Sequence, residues 1–173
     1  MQQSHTTLLI VWHSRTTTSQ QAAFFAAQSA QETLHSMEAS SQVRVLCLPV
    51  EQVQMTTLLN SAAYLFCAPE NLGSLSGEMK AFFDQNYYPA LDQLNGRPYG
   101  LIISAGSDGT GAARQTERIC TGWRLSAVAP TLIINTDAQS PEQILAPKTL
   151  NTQQIEAAKE MGGLLAAHLA LSL

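Results

Sequence analysis

Short, nearly continuous apolar runs recur along this chain, separated by longer stretches in which apolar residues return every three or four positions. The runs are Leu8-Leu9-Ile10-Val11-Trp12, Val43-Arg44-Val45-Leu46-Cys47-Leu48, Ala62-Ala63-Tyr64-Leu65-Phe66-Cys67, Tyr99-Gly100-Leu101-Ile102-Ile103 and Thr131-Leu132-Ile133-Ile134. Apolarity at successive positions, rather than at alternate ones, predicts strands covered on both faces, as in a parallel sheet. The intervening stretches show helical spacing. One carries Ala22, Ala26, Ala30, Thr33 and Met37, and another Met79, Phe82, Phe83 and Asn86. A third carries Ala112, Thr116, Ile119, Cys120 and Trp123, and the last Ile155, Ala158, Gly162, Leu165 and Leu169. Gln52 to Leu59 gives a shorter helical signal. Strands and helices in alternation predict a doubly wound α/β sandwich with right-handed crossovers. Asp137 to Leu150, with Pro141 and Pro147, reads as an irregular connection. No repeat, Pro-rich linker or charge block divides the sequence, so residues 1–173 are read as a single domain.

Composition leaves this picture intact and narrows the function. A chain that is 45% hydrophobic and 13% charged buries a sizeable core at 173 residues. A formal net charge of −4, with nine Lys and Arg in all, argues against nucleic-acid binding by phosphate neutralisation. Cys47, Cys67 and Cys120 are odd in number, lack CxxC spacing and fall in apolar segments. That pattern predicts reduced, mostly buried thiols rather than a disulfide framework or a zinc site. Met1-Gln2-Gln3-Ser4-His5 carries no basic leader region. The apolar runs fall far short of the roughly 18 residues a membrane span needs. The expectation is a soluble, cytoplasmic protein with neither membrane nor nucleic acid as partner.

In open parallel sheets ligands bind beyond the carboxyl ends of the strands, so the loops after the first, third and fourth runs carry the candidate chemistry. The first is His13-Ser14-Arg15-Thr16-Thr17-Thr18-Ser19, rich in hydroxyls and leading directly into a helix. Hydroxyls beside the free N–H groups and positive dipole end of a helix form a phosphate cradle without a lysine. A simple N-cap with a polar turn is the plainer alternative, but capping needs one hydroxyl. Neither GxxxxGK[ST] nor GxGxxG is present, which removes the nucleoside triphosphate and dinucleotide fingerprints. After the third run, Gly73 and Gly77 permit close backbone approach, Ser74 or Ser76 can cap the next helix, and Glu78 suits its first turn. The fourth run ends in Ser104-Ala105-Gly106-Ser107-Asp108-Gly109-Thr110-Gly111, another small loop entering a helix. Each alone is an ordinary turn; three converging at one sheet edge suit a planar, phosphorylated ligand.

From roughly Thr7 to Thr136 the chain resembles the flavodoxin and NAD(P)H-dependent FMN reductase superfamily. Ser14-Arg15-Thr16-Thr17-Thr18-Ser19 resembles the family's Ser-Arg-Thr-Gly-Asn-Thr phosphate loop. The more specific likeness is Ala68-Pro69-Glu70-Asn71-Leu72-Gly73-Ser74-Leu75-Ser76-Gly77-Glu78-Met79-Lys80-Ala81-Phe82-Phe83-Asp84, similar to the flavin-side loop and following helix. The resemblance implies a flavodoxin-like three-layer sandwich, a five-stranded parallel sheet of order 2-1-3-4-5 with helices on both faces. It implies FMN as cofactor, its phosphate on Ser14, Thr16, Thr17, Thr18 and Ser19; Arg15 in the same loop either adds charge to the phosphate or points to solvent. Isoalloxazine contacts would fall on Pro69, Glu70, Asn71, Leu72 and Gly73 and on Ser104, Ala105, Gly106, Ser107, Asp108 and Gly109. The chain departs from the family at Thr17, which replaces a glycine, and lacks the aromatic that follows the loop proline, with Asn71 nearby instead. If that glycine serves a positive φ or close phosphate approach, a β-branched residue weakens FMN binding.

Other residues are weighed against plainer roles. His13, at a strand end beside the phosphate loop, either adds charge or makes a packing hydrogen bond. Glu70 and Asp108 read as loop acids, Trp12 and Trp123 as core aromatics, and Tyr87 and Tyr88 as half-buried surface aromatics. No GxSxG nucleophile elbow, HExxH or metal-ligand cluster occurs, so the chemistry is assigned to a cofactor. The leading expectation is an FMN-dependent oxidoreductase taking hydride from NADH or NADPH and passing it to a quinone, a flavin or a similar acceptor. The alternatives are a flavodoxin-type carrier serving a redox partner protein, and a binding module of the same fold that has lost FMN. The apolar final helix, Ile155 to Leu173, is expected to pack on the sheet and to offer a possible homodimer contact.

Overall fold

A computed structural model describes residues 5–173; residues 1–4, part of the stretch read for a leader, lie outside the described residues. Along the chain come β1 (Thr6–Trp12), α1 (Thr18–Ser36), β2 (Val43–Pro49), a 3₁₀ turn (Val50–Gln52) and α2 (Met55–Asn60). β3 (Ala63–Asn71) turns back into the two-residue β4 (Ser74–Leu75), followed by α3 (Gly77–Ala90), β5 (Pro98–Ala105) and α4 (Thr110–Gly122). Two short strands, β6 (Ser126–Ala127) and β7 (Leu132–Asn135), precede α5 (Pro141–Leu145) and α6 (Thr152–Ala170).

The sheet is parallel in the order β2-β1-β3-β5, with β6 and β7 both on the outer side of β5. Its register runs from Thr6 opposite Val43, through Leu8 opposite Ala63 and Tyr64 opposite Tyr99, to Ile102 opposite Leu132. Counting the five apolar runs, this is the expected order 2-1-3-4-5. The outermost position is divided in two: β6 pairs the start of β5 and β7 its end. Pro130 lies between them, and a residue without an N–H interrupts a ladder. The fold is the flavodoxin-like α/β sandwich.

Burial explains the continuous apolar runs. Leu8, Ile10, Ala63, Leu65, Cys67 and Ile102 meet α1 and α6 on one face. Leu9, Val11, Tyr64, Phe66, Leu101 and Ile103 meet α3 and α4 on the other. On α1 the buried stripe is Ala22, Ala23, Ala26, Ala30 and Leu34, small enough for α6 to lie close. A methyl on Gly162 would collide with the Ala26 backbone, so the final helix is tied to α1 by backbone proximity. Cys47, Cys67 and Cys120 are free thiols, as expected. Burial pushes Cys47 up to about 12 and Cys67 upward as well, which suppresses thiolate chemistry. No helix among the described residues is long and apolar enough to cross a membrane, and these residues hold no cluster suited to a metal ion.

The chain leaves β1 toward β2 on one side and returns to β3 on the other. Helix connections therefore diverge beyond the carboxyl ends of β1 and β3, opening a crevice there.

Candidate functional site

That crevice is a cleft of about 340 Å³, within the span of small-molecule sites. Three of its walls were expected. Arg15, Thr16 and Thr18 come from the loop after β1; Pro69, Glu70 and Asn71 from the end of β3; Ser104, Ala105 and Gly106 from the end of β5. The fourth wall, formed by Thr136, Ala138, Ile144, Leu145 and Lys148, comes from the segment expected to be only an irregular connection. A legible signal marks it. Ser140-Pro141-Glu142-Gln143 is a capping box with proline at the first helical position, and the reciprocal Ser140 and Gln143 bonds are made.

At the start of α1, Thr17 occupies the N-cap position at φ 72°, and no side chain caps the helix. The first-turn N–H groups are left for an external acceptor. Thr18 is only 2% exposed, and its hydroxyl is buried with no hydrogen-bond partner among the described residues. A buried hydroxyl without a partner, beside uncapped N–H groups, is the complement of an anionic oxygen. Thr17 faces elsewhere. Its hydroxyl lies 2.6 Å from the Thr16 carbonyl oxygen and 2.7 Å from that of Lys148, and accepts from Gln21 Nε2 at 3.0 Å. Lys148 N–H donates back to the Thr16 carbonyl at 2.9 Å. Thr17 thus adopts the positive φ that favours glycine, with its hydroxyl bonded into the fourth wall.

The other first-loop residues divide. Ser14 is half-buried outside the cleft lining. Ser19 is buried, its hydroxyl 2.8 Å from that of Ser104, and so ties α1 to the end of β5 beneath the cleft. Arg15 is exposed and donates to Glu78 at 2.9 Å. His13 also lies outside the cleft, with Nδ1 2.9 Å from the Ser76 hydroxyl and Nε2 3.5 Å from Glu78. Burial holds its pKa below 6.5 despite the pull of Glu78. The Glu78 carboxyl is itself held low, first by its own backbone N–H at the start of α3, then by His13 and Arg15. His13 therefore joins β1 to α3, a structural role.

Glu70 does more than a solvated loop acid. Its two carboxylate oxygens accept from Gly109 N–H and Ala112 N–H, each at 2.9 Å, capping α4 from the end of β3. A methyl on Gly111 would collide with the Gly73 carbonyl oxygen, so the loops after β3 and β5 are in backbone contact as well. Leu72 and Gly73 form the tip of the β3–β4 hairpin, at φ 53° and 74°, exposed and away from the cleft lining. Ser107, Asp108 and Gly109 build the entry to α4. The Ser107 carbonyl accepts from Asn135 Nδ2, Asp108 accepts from the Thr110 hydroxyl, and Gly109 is the N-cap at φ 91°.

FMN fits this cleft by donor chemistry. The uncapped α1 turn and the Thr18 hydroxyl suit its phosphate, and the small backbone-lined walls at Pro69–Asn71 and 104–106 suit a planar ring.

A model of the NADPH-dependent FMN reductase family matches residues 22–139. The first loop and the final helix lie outside the match. No curated protein sequence matches the chain. Solved structures with similar folds include a flavodoxin from the domain Archaea, at 15% identity and TM-score 0.71, covering 94% of this chain and 98% of that one. A flavodoxin, WrbA-like protein from Agrobacterium tumefaciens is similar at 13% identity and TM-score 0.72, over 96% and 98% of the two chains. An oxidoreductase from Corynebacterium diphtheriae is similar at 17% identity and TM-score 0.72, over 98% and 99%. At these identities the structural likeness speaks for the fold alone, and the family match speaks for the chemistry. With that match over more than half its length, this chain belongs to the NADPH-dependent FMN reductase family, as an FMN-binding oxidoreductase of flavodoxin-like fold.

Proposed function

We propose that the chain oxidises NADPH or NADH and passes the electrons to a quinone, a flavin or a similar small planar acceptor, with FMN held in the cleft as the intermediary. The observation that carries this reading is the set of unpartnered donors at the start of α1, facing a crevice walled by three strand ends. FMN held by these residues would supply two-electron redox chemistry between a nicotinamide and the acceptor.

The chain's own residues bind and orient. The α1 N–H groups and the Thr18 hydroxyl hold the phosphate, in a part of the cleft where the Thr17–Lys148 bonds fix the backbone. Pro69–Asn71 and 104–106 flank the ring, and the Glu70 clamp sets the spacing of these two walls. The titratable side chains lining the cleft are Arg15, Glu70 and Lys148. Arg15 is paired with Glu78, Glu70 with two backbone N–H groups, and the Lys148 ammonium with the carbonyls of Gln143, Ile144 and Ala146. Each charged side chain of the lining is thus engaged within the chain and holds a wall in place. Ile144 and Leu145 line the cleft and are exposed, giving an apolar rim against which a planar acceptor can stack.

The test is anaerobic mixing of the FMN-loaded protein with each nicotinamide in a stopped-flow spectrometer. Bleaching of the visible flavin band by NADPH or NADH, with recovery on adding a quinone, is the expected outcome. A bound flavin that chemical reductant bleaches but neither nicotinamide does overturns the reading and leaves a flavodoxin-type carrier.

A further inference from the structure

A larger hollow lies away from the cofactor cleft, between α3 and α4. It is a groove of about 530 Å³. Phe83 and Trp123 form its buried floor, with Ile119 and Tyr87 higher on its walls. Arg114 and Arg118 stand one turn apart on the α4 side, both exposed. Neither guanidinium makes a hydrogen bond or ion pair among the described residues.

Three features of this arrangement go together. First, two like charges at i and i+4 on one helix repel each other and weaken it unless an anion lies between them. Glu117, which precedes Arg118 and is close in sequence to both arginines, is bonded to the Thr131 hydroxyl. The cation on the opposite wall, Lys80, is matched by Asp84 at 2.6 Å. The arginine pair is therefore the unmatched charge of the groove. Second, the floor is aromatic, and the buried Trp123 carries an indole N–H without a partner among the described residues. Third, the volume lies within the span of small-molecule sites, and guanidinium groups bind phosphate and carboxylate through paired N–H donors.

We propose that the α3–α4 groove is a second binding site, for an aromatic anion of nucleotide size, with its ring over Phe83 and Trp123 and its phosphate or carboxylate between Arg114 and Arg118. Two sources share this chemistry: the 2′-phosphoadenosine end of NADPH, and a free nucleotide or aromatic acid. The first source rests on the proposed nicotinamide activity; the site itself does not. The groove adjoins the cofactor cleft through Gly111, which lines the groove and abuts Gly73 and the Glu70 carboxylate.

The experiment is calorimetric titration of the FMN-loaded protein, its flavin site filled, with adenosine 2′-monophosphate, 1-naphthoate and neutral adenosine. Both anions are expected to bind and adenosine to bind at least about tenfold more weakly than its 2′-phosphate, given the strength of charge-assisted hydrogen bonds. Arg114→Gln with Arg118→Gln, two exposed substitutions, is expected to weaken both anions at least about tenfold while FMN affinity is unchanged. Absence of binding by either anion overturns the proposal, as does binding indifferent to the double substitution or to the phosphate. Steady-state kinetics then separates the sources. A KM raised for NADPH but not NADH in the double variant identifies the 2′-phosphate end, whereas unchanged KM values with lost anion binding identify a free aromatic anion. Should neither nicotinamide reduce the flavin, the calorimetric result still decides the site.

Discussion

Thr17 and Thr18 are neighbours of the same type with opposite roles. Thr17 holds φ 72°, a region that β-branched residues avoid, and its hydroxyl is spent on the Thr16 and Lys148 carbonyls and Gln21. Thr18 is buried with its hydroxyl unengaged. The hydroxyl richness of this loop is legible in the sequence, and so is the departure at Thr17. What the sequence did not disclose is that Thr17 points to a wall contributed by Lys148, because that pairing depends on where the segment after β7 folds back. Thr17→Val keeps the shape and removes the bonds, so it is expected to cost about 1–2 kcal/mol in urea unfolding. An unchanged midpoint would show that the Lys148 contact holds nothing.

His13 gives a second prediction at this scale. Its folded pKa is lowered by burial below the value of 6.5 it has when unfolded, so on acidification the unfolded chain takes up the proton first. Stability is therefore full above pH 6.5 and falls as pH drops from there through the lowered folded value. Glu78, also held low, adds a further loss as pH falls below 4.5. His13→Gln is expected to flatten the first decline and to reduce the second only in part, since the Glu78 backbone bond and Arg15 remain, in urea unfolding across a pH series. A decline just below pH 6.5 that survives the substitution would assign it to another group.

At the scale of elements, the two ring-side loops act as one unit. Sequence shows Glu70 only as a loop carboxylate, which reads as a solvated acid, without showing that α4 starts opposite it. Once β3 and β5 pair, its two oxygens cap α4 at Gly109 and Ala112. Glu70→Ala leaves two helix N–H groups without acceptors and is expected to cost about 1–3 kcal/mol in thermal or urea unfolding. FMN is expected to bind more weakly to this variant, since the walls are no longer held; unchanged FMN affinity would separate the clamp from the cofactor. The β3–β4 hairpin was likewise hidden, being only two residues of β4. Its turn places Leu72 and Gly73 both at positive φ, which suits Asn-Gly far better than Leu-Gly. Leu72→Asn is expected to raise stability by about 0.5–1 kcal/mol, read from the thermal midpoint, because it relieves a left-handed leucine. A lowered midpoint would mean that the exposed leucine makes a contact worth more than its strain.

Over the whole molecule the order of elements was legible because burial on both sheet faces leaves an unmistakable trace, as in Leu8 to Trp12 and Ala62 to Cys67. The division of the last strand was less so, although Pro130 marks it. The α5 wall was missed because five helical residues carry no periodicity, and only the Ser140–Gln143 capping box announces them. Glycine at 162 reads as a weak point in a helix; only the approach of α1 shows that it is required. These features converge on a single claim, that the sheet edge at the start of α1 binds FMN through its phosphate. The most direct measurement is a fluorescence titration of the apoprotein with FMN and with riboflavin, for the native chain and for Thr18→Val. Tighter binding of FMN than riboflavin by at least about a hundredfold is predicted, with Thr18→Val weakening FMN while leaving riboflavin unchanged. Equal affinity for the two flavins, or indifference of FMN to the substitution, would contradict it.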